Sequence, residues 1–144
     1  GGGRGGGGAA TPGPVRTVRT MPVVFSEADK VSLFFANNYL WKTMDGGVHW
    51  TRISPDLARP TWETPTSVGK YREDPAARPQ QRGVIYTIAP SPLDINRIWV
   101  GTDDGLIHVT IDGGATWKDV TPPAMKAFTA PRNRFPEMFS RWPR

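Results

Sequence analysis

Thr43-Met44-Asp45-Gly46-Gly47-Val48-His49-Trp50 and Thr110-Ile111-Asp112-Gly113-Gly114-Ala115-Thr116-Trp117 are one pattern written twice. Thr, Asp, both glycines and Trp coincide at an offset of 67 residues, counted from Asp45 to Asp112 or from Trp50 to Trp117. The register continues beyond the octets, where Ile53-Ser54-Pro55 lies over Val120-Thr121-Pro122. Chance does not produce such agreement. Each residue type suits a tight hairpin corner. Thr and Asp side chains bond to nearby backbone and replace ladder bonds lost at a bend. Glycine reaches backbone angles closed to other residues. The tryptophan can turn inward and fix the hairpin to neighbouring strands by a large buried area.

Outward from the octets, the apolar runs are short and separated by turn signals, which is the period of strands. Residues 31–36, 39–44 and 49–54 surround the first octet, with Asn37-Asn38 suited to a tight turn. Residues 84–89, 97–101, 106–111 and 116–121 surround the second. No apolar stripe of helical period is long enough to be useful, so the chain is all-β, built from antiparallel meanders. Four-stranded repeats of about 40–45 residues mark propeller blades. The expected organisation is two four-stranded antiparallel blades, at 16–57 and 83–124, separated by an inserted loop at 58–82. A disordered Gly-rich tail at 1–15 precedes them, and an irregular tail at 125–144 follows. The last segment, with Phe128, Phe135, Phe139 and Trp142, reads as a truncated or frameshifted next blade.

Composition narrows the function classes. The 144 residues include six tryptophans and no cysteine, which excludes disulfides, thiolate metal sites and a Cys nucleophile. No apolar run approaches the roughly 20 residues of a transmembrane helix. The net charge of +5 divides as +3 over residues 1–20, −2 over 21–125 and +4 over 126–144. Basicity belongs to the ends, so no folded basic face for nucleic acid is expected. Gly3-Arg4-Gly5-Gly6 is one arginine–glycine match inside a glycine run and reads as linker.

Catalytic patterns are thin. Asp103 and Asp104 sit in a hairpin turn, where acidic residues are ordinary, and are weak binding or catalytic candidates. Trp62 and Tyr71, in the inserted loop, can present aromatic surface to a sugar or peptide. His49 and His108 lack spaced partners for a metal, and no cofactor pattern survives.

The octets resemble the Asp-box, the Ser/Thr-x-Asp-x-Gly-x-Thr-Trp hairpin of sialidases, sortilin-type propellers and some xyloglucanases. The second copy fits throughout, and the first carries His49 where threonine is usual, which should weaken one hydrogen bond. Leu40-Trp41-Lys42-Thr43, Ile53-Ser54-Pro55-Asp56-Leu57 and Val100-Gly101-Thr102-Asp103-Asp104-Gly105 are similar to bacterial sortilin-like BNR-repeat proteins. The resemblance implies structural roles for Thr43, Asp45, Gly47, Trp50, Thr110, Asp112, Gly114, Thr116 and Trp117. It also implies a non-catalytic binding or scaffold segment with a peptide, protein or glycan ligand, in an extracytoplasmic setting. Two blades do not close a ring, so remaining blades of a parent protein or other copies of the chain are expected as partners. The alternative implied is part of a propeller glycoside hydrolase whose catalytic carboxylates lie mostly outside this chain.

Overall fold

The computed structural model describes residues 13–61, 66–75 and 81–126. They form two four-stranded antiparallel sheets with little helix. The first contains β1 (Val23–Phe25), β2 (Leu33–Ala36), β3 (Leu40–Thr43) and β4 (Thr51–Arg52). The second contains β5 (Ile85–Pro90), β6 (Ile98–Thr102), β7 (Ile107–Thr110) and β8 (Lys118–Asp119). In each sheet the strands lie in chain order, so every connection is a hairpin. Short β-branched and aromatic runs suit this arrangement, because each needs only one apolar face against a partner.

The pairings make the repeat physical. Leu33 faces Thr43 in the first sheet, and Ile98 faces Thr110 in the second. From β3 to β7 the offset is 67, whereas from β2 to β6 it is 65. The β6–β7 turn accounts for the difference, since the last pair encloses three residues in the first sheet (Ala36 with Leu40) and five in the second (Gly101 with Ile107). Asn37 closes the β2–β3 turn, its Oδ1 accepting from the Tyr39 N–H at 2.8 Å. Thr102 closes the β6–β7 turn, accepting at Oγ1 from the Leu106 N–H at 2.9 Å, with Gly105 at φ 86°.

Alternation along the strands gives each sheet two faces. Val24, Phe34, Ala36 and Leu40 of the first sheet pack in one core with Ile85, Ile88, Ile98 and Val100 of the second. Ile53, Leu57, Ile95 and Trp117 seal its margins. Phe34, Ala36, Leu40 and Ile85 are fully buried. The sheets therefore stack face to face.

A polar seam closes one end of this stack. The Arg16 guanidinium forms an ion pair with Asp56 at 2.7 Å and donates from Nη2 to the Gly83 carbonyl at 2.8 Å. Asn38 joins it, its Nδ2 donating to Asp56 at 3.0 Å. The Ile85 N–H donates across the seam to the Asn37 carbonyl at 2.8 Å, joining β5 to the β2–β3 turn. The ends of the expected insertion meet here. A Cβ on Gly83 would lie 2.8 Å from the Ala58 Cβ, and Gln81 Nε2 donates to the Ala58 carbonyl at 3.4 Å.

The first strand, β1, follows Pro22 and is too short for the strand reading to have named it. The insertion carries a 3-10 helix at Thr66–Glu73, interrupted at Gly69 (φ 60°, ψ −133°). Residues 1–12 of the Gly-rich tail lie outside the described residues. Gly13 and Pro14, grouped with that tail, are instead tied to the first sheet, their carbonyls accepting from Tyr39 Oη and Asn38 Nδ2, each at 3.2 Å. Met125 and Lys126, grouped with the irregular C-terminal segment, complete α1 (Pro123–Lys126). Residues 127–144 lie outside the described residues.

Candidate functional site

The two octets fold alike, hydrogen bond for hydrogen bond. Thr43 Oγ1 donates to Asp45 Oδ1 at 2.8 Å, as Thr110 Oγ1 does to Asp112 Oδ1 at 2.7 Å. Each Thr hydroxyl also accepts the second glycine's N–H, at 3.0 Å from Gly47 and 2.9 Å from Gly114. The aspartate then spans the corner, Asp45 Oδ1 accepting from the His49 N–H and Asp112 Oδ1 from the Thr116 N–H, both at 2.9 Å. The glycines have φ of 72° and 96° in the first corner and 71° and 100° in the second. This is the left-handed region that favours glycine.

His49 does not leave its corner short of a bond. Its Nδ1 lies 2.6 Å from Asp45 Oδ2, the oxygen position that Thr116 Oγ1 bonds in Asp112. The ring reaches the same carboxylate oxygen as the hydroxyl does, so the contact is kept with a different partner. Both carboxyls are held below the ordinary range. For Asp112, driven down to about 2, the leading cause is the Thr116 hydroxyl and the next is the Thr116 N–H. Asp45 is lowered first by the His49 N–H and then by the His49 side chain.

The tryptophans differ in surroundings rather than in position. Trp117 crosses to the other sheet, its Nε1–H donating to the Ile53 carbonyl at 2.9 Å. Gly114 lies against the same residue, where an added Cβ would fall 2.9 Å from the Ile53 Cβ. Trp50 stays on its own sheet in an edge contact with Phe35, centroids 5.9 Å apart.

The remaining candidates divide. Asp104 is buried and spent on structure. It accepts at Oδ2 from the Arg59 N–H at 2.7 Å and at Oδ1 from Thr102 Oγ1. Asp103 Oδ1 accepts from the Val84 N–H at 2.8 Å. Asp104 therefore pins the start of the insertion to the β6–β7 turn, and Asp103 ties that turn to the chain just past the insertion's end. Tyr71 is exposed on the 3-10 helix, with Lys70 Nζ 5.4 Å from its ring centre. Trp62 lies outside the described residues. His108 lies on β7, where burial is the main influence pushing its imidazole below the ordinary value, and its Nε2 has no hydrogen-bond partner among the described residues.

Two further repeated corners escaped the sequence reading. In the β1–β2 turn the Asp29 N–H donates to Ser26 Oγ at 3.5 Å, and Asp29 Oδ1 accepts from the Val31 N–H at 3.1 Å. In the β5–β6 turn Asp94 and Ser91 do the same at 3.2 Å, and Asp94 accepts from the Asn96 N–H at 3.0 Å. The signal is Ser-x-x-Asp at 26–29 and again at 91–94, at the 65-residue offset of the neighbouring strands. Likewise Ser54 and Thr121 accept the N–H of Leu40 and Ile107, at 2.7 and 2.8 Å.

Chemically, these groups are matched to holding backbone. A general acid needs a raised carboxyl pKa, whereas Asp29, Asp45, Asp112 and Asp119 are all shifted down by hydrogen bonding. Among the described residues no three His, Asp or Glu side chains converge as a metal site. No described helix is long and apolar enough to cross a membrane. No protein-family model matches the sequence, and no curated protein matches it.

Proposed function

We propose that this chain is a non-catalytic binding or scaffold segment, two consecutive blades of a sortilin-like Asp-box propeller. Its ligand would be a peptide, protein or glycan taken by loops, in an extracytoplasmic setting. The observation that carries the reading is the use made of the octets. Their carboxylates and hydroxyls are consumed by the corner, while the indole of Trp117 joins one sheet to the next. Such a repeat builds a frame, and ligand contact falls to what the frame displays. Exposed Tyr71 on the inserted segment is the aromatic best placed for that.

The test pairs binding with turnover. Labelled chain is screened on a glycan array and a peptide library, and incubated with sialosides and xyloglucan oligosaccharides. Retention of a defined ligand, weakened by Tyr71→Ala and without bond cleavage, is the expected result. Hydrolysis that vanishes on replacing a pair of carboxylates overturns it in favour of the glycosidase.

A further inference from the structure

Equivalent positions in the two sheets have opposite fates. By register and offset, Val23, Phe35 and Trp50 on the first sheet correspond to Ile88, Val100 and Trp117 on the second. On the second sheet this face is covered by the first, leaving Ile88 at 6% and Val100 at 2% exposure. On the first sheet it is open, with Val23 at 57% and Phe25 beside it at 68%. The reverse faces show the converse. Phe34 is fully buried, and its counterpart Trp99 is 45% exposed. Among the described residues the stack thus presents two unlike faces, each the counterpart of a face already joined inside it.

We propose that the open front of the first sheet docks on the open back of the second sheet of another copy of this chain. The internal joint supplies the template. Ile53, the acceptor for Trp117, is held by its N–H on the Leu40 carbonyl at 2.8 Å. Val120 occupies the same place one repeat later, its N–H on the Ile107 carbonyl, also at 2.8 Å. In the intermolecular joint the Trp50 Nε1–H donates to the Val120 carbonyl, and Gly47 lies where Gly114 lies. No described group blocks this approach at Gly47, whose missing Cβ would meet only the Trp50 ring, at 3.7 Å. A front-to-back contact is heterologous, so it leads to a closed ring or an open filament rather than a two-fold dimer. The proposal uses the observed sheet stacking and not the ligand reading, which survives if association fails.

Light scattering after gel filtration, over a range of concentrations, is the first test. The chain should run above its monomer mass of 15.9 kDa, increasingly so with concentration. Trp50→Ala and Trp99→Asp, each altering one exposed face, should weaken association about thirtyfold, the scale of an interfacial tryptophan. Far-UV circular dichroism should stay unchanged. Mixed one to one, the two variants should pair as a complex of twice the monomer mass, because each retains the face the other lacks. A monomer at every concentration overturns the proposal. So does a monomer whose Trp50 is shielded from acrylamide, which would give this face to another part of the same chain. Association that survives both substitutions, or a mixture that does not pair, overturns it equally.

Discussion

Trp117→Ala and Trp50→Ala remove the same residue from the same motif, yet their costs should differ severalfold. Trp117 is partly buried against the core and bonds the Ile53 carbonyl across the sheet interface. A buried indole removes on the order of 150–200 Å² from water, worth about 4 kcal/mol at 25 cal/mol per Å². Its truncation also strands a carbonyl that has lost its donor, a penalty of about 1–3 kcal/mol. Measured truncations of buried aromatics cluster near 3–5 kcal/mol, and the expected loss is at the upper end of that range. Trp50 is 39% exposed, with an edge contact to Phe35, and its removal should cost about 1 kcal/mol. Urea titration followed by circular dichroism, at concentrations low enough to avoid self-association, separates the two. Trp117→Phe, which restores ring but not donor, should fall between them. Equal costs for Trp50 and Trp117, or a Trp117→Ala loss below about 1.5 kcal/mol, refute the claim that this indole joins the sheets.

Glycine corners give a second contrast. Gly114→Ala drives a Cβ into the Ile53 carbonyl oxygen, whereas Gly47→Ala meets nothing closer than the Trp50 ring at 3.7 Å. Both carry the left-handed backbone cost of about 1–2 kcal/mol, so thermal melts should show Gly114→Ala clearly the worse. Acid dependence follows from Asp112, whose carboxyl is lowered to about 2. The corner's contribution is complete above the unfolded value near 4 and is lost as pH falls towards 2. Thr116→Val, which removes the leading cause, should flatten that dependence in melts taken from pH 5 to pH 2. Asp104→Ala leaves the Arg59 N–H and Thr102 Oγ1 without their acceptor. Limited proteolysis should then cut the inserted segment faster while the sheets persist.

The octets were legible because corner chemistry is local. Within eight positions, Thr, Asp and Gly satisfy one another, so spacing alone encodes the geometry. The hairpin at Asn37-Asn38 and the strand beginning near Ile98 were legible for the same reason. Strand β1 was not, since Val23–Phe25 is short and finds its partner through Phe34 and Phe35 rather than through its own pattern. Asp104 looked like a spare turn carboxylate. Its role depends on Arg59, 45 residues away, and no local rule reports that. The unequal fate of Trp50 and Trp117 is wholly non-local, because it depends on which sheet lies in front. Ser26 and Asp29 with Ser91 and Asp94 were within reach of a repeat search at the 65-residue offset.

The pinched base of residues 58–82 separates two kinds of change. Because Ala58 and Gly83 already touch, and Arg59 is held by Asp104, the stretch between them hangs from a closed neck. Lengthening such a stretch costs only about 0.6 kcal/mol per doubling. Nothing in the paired strands has to shift. Variation can therefore accumulate there independently of the scaffold, and a foreign sequence grafted between those two residues should leave the architecture beneath it standing.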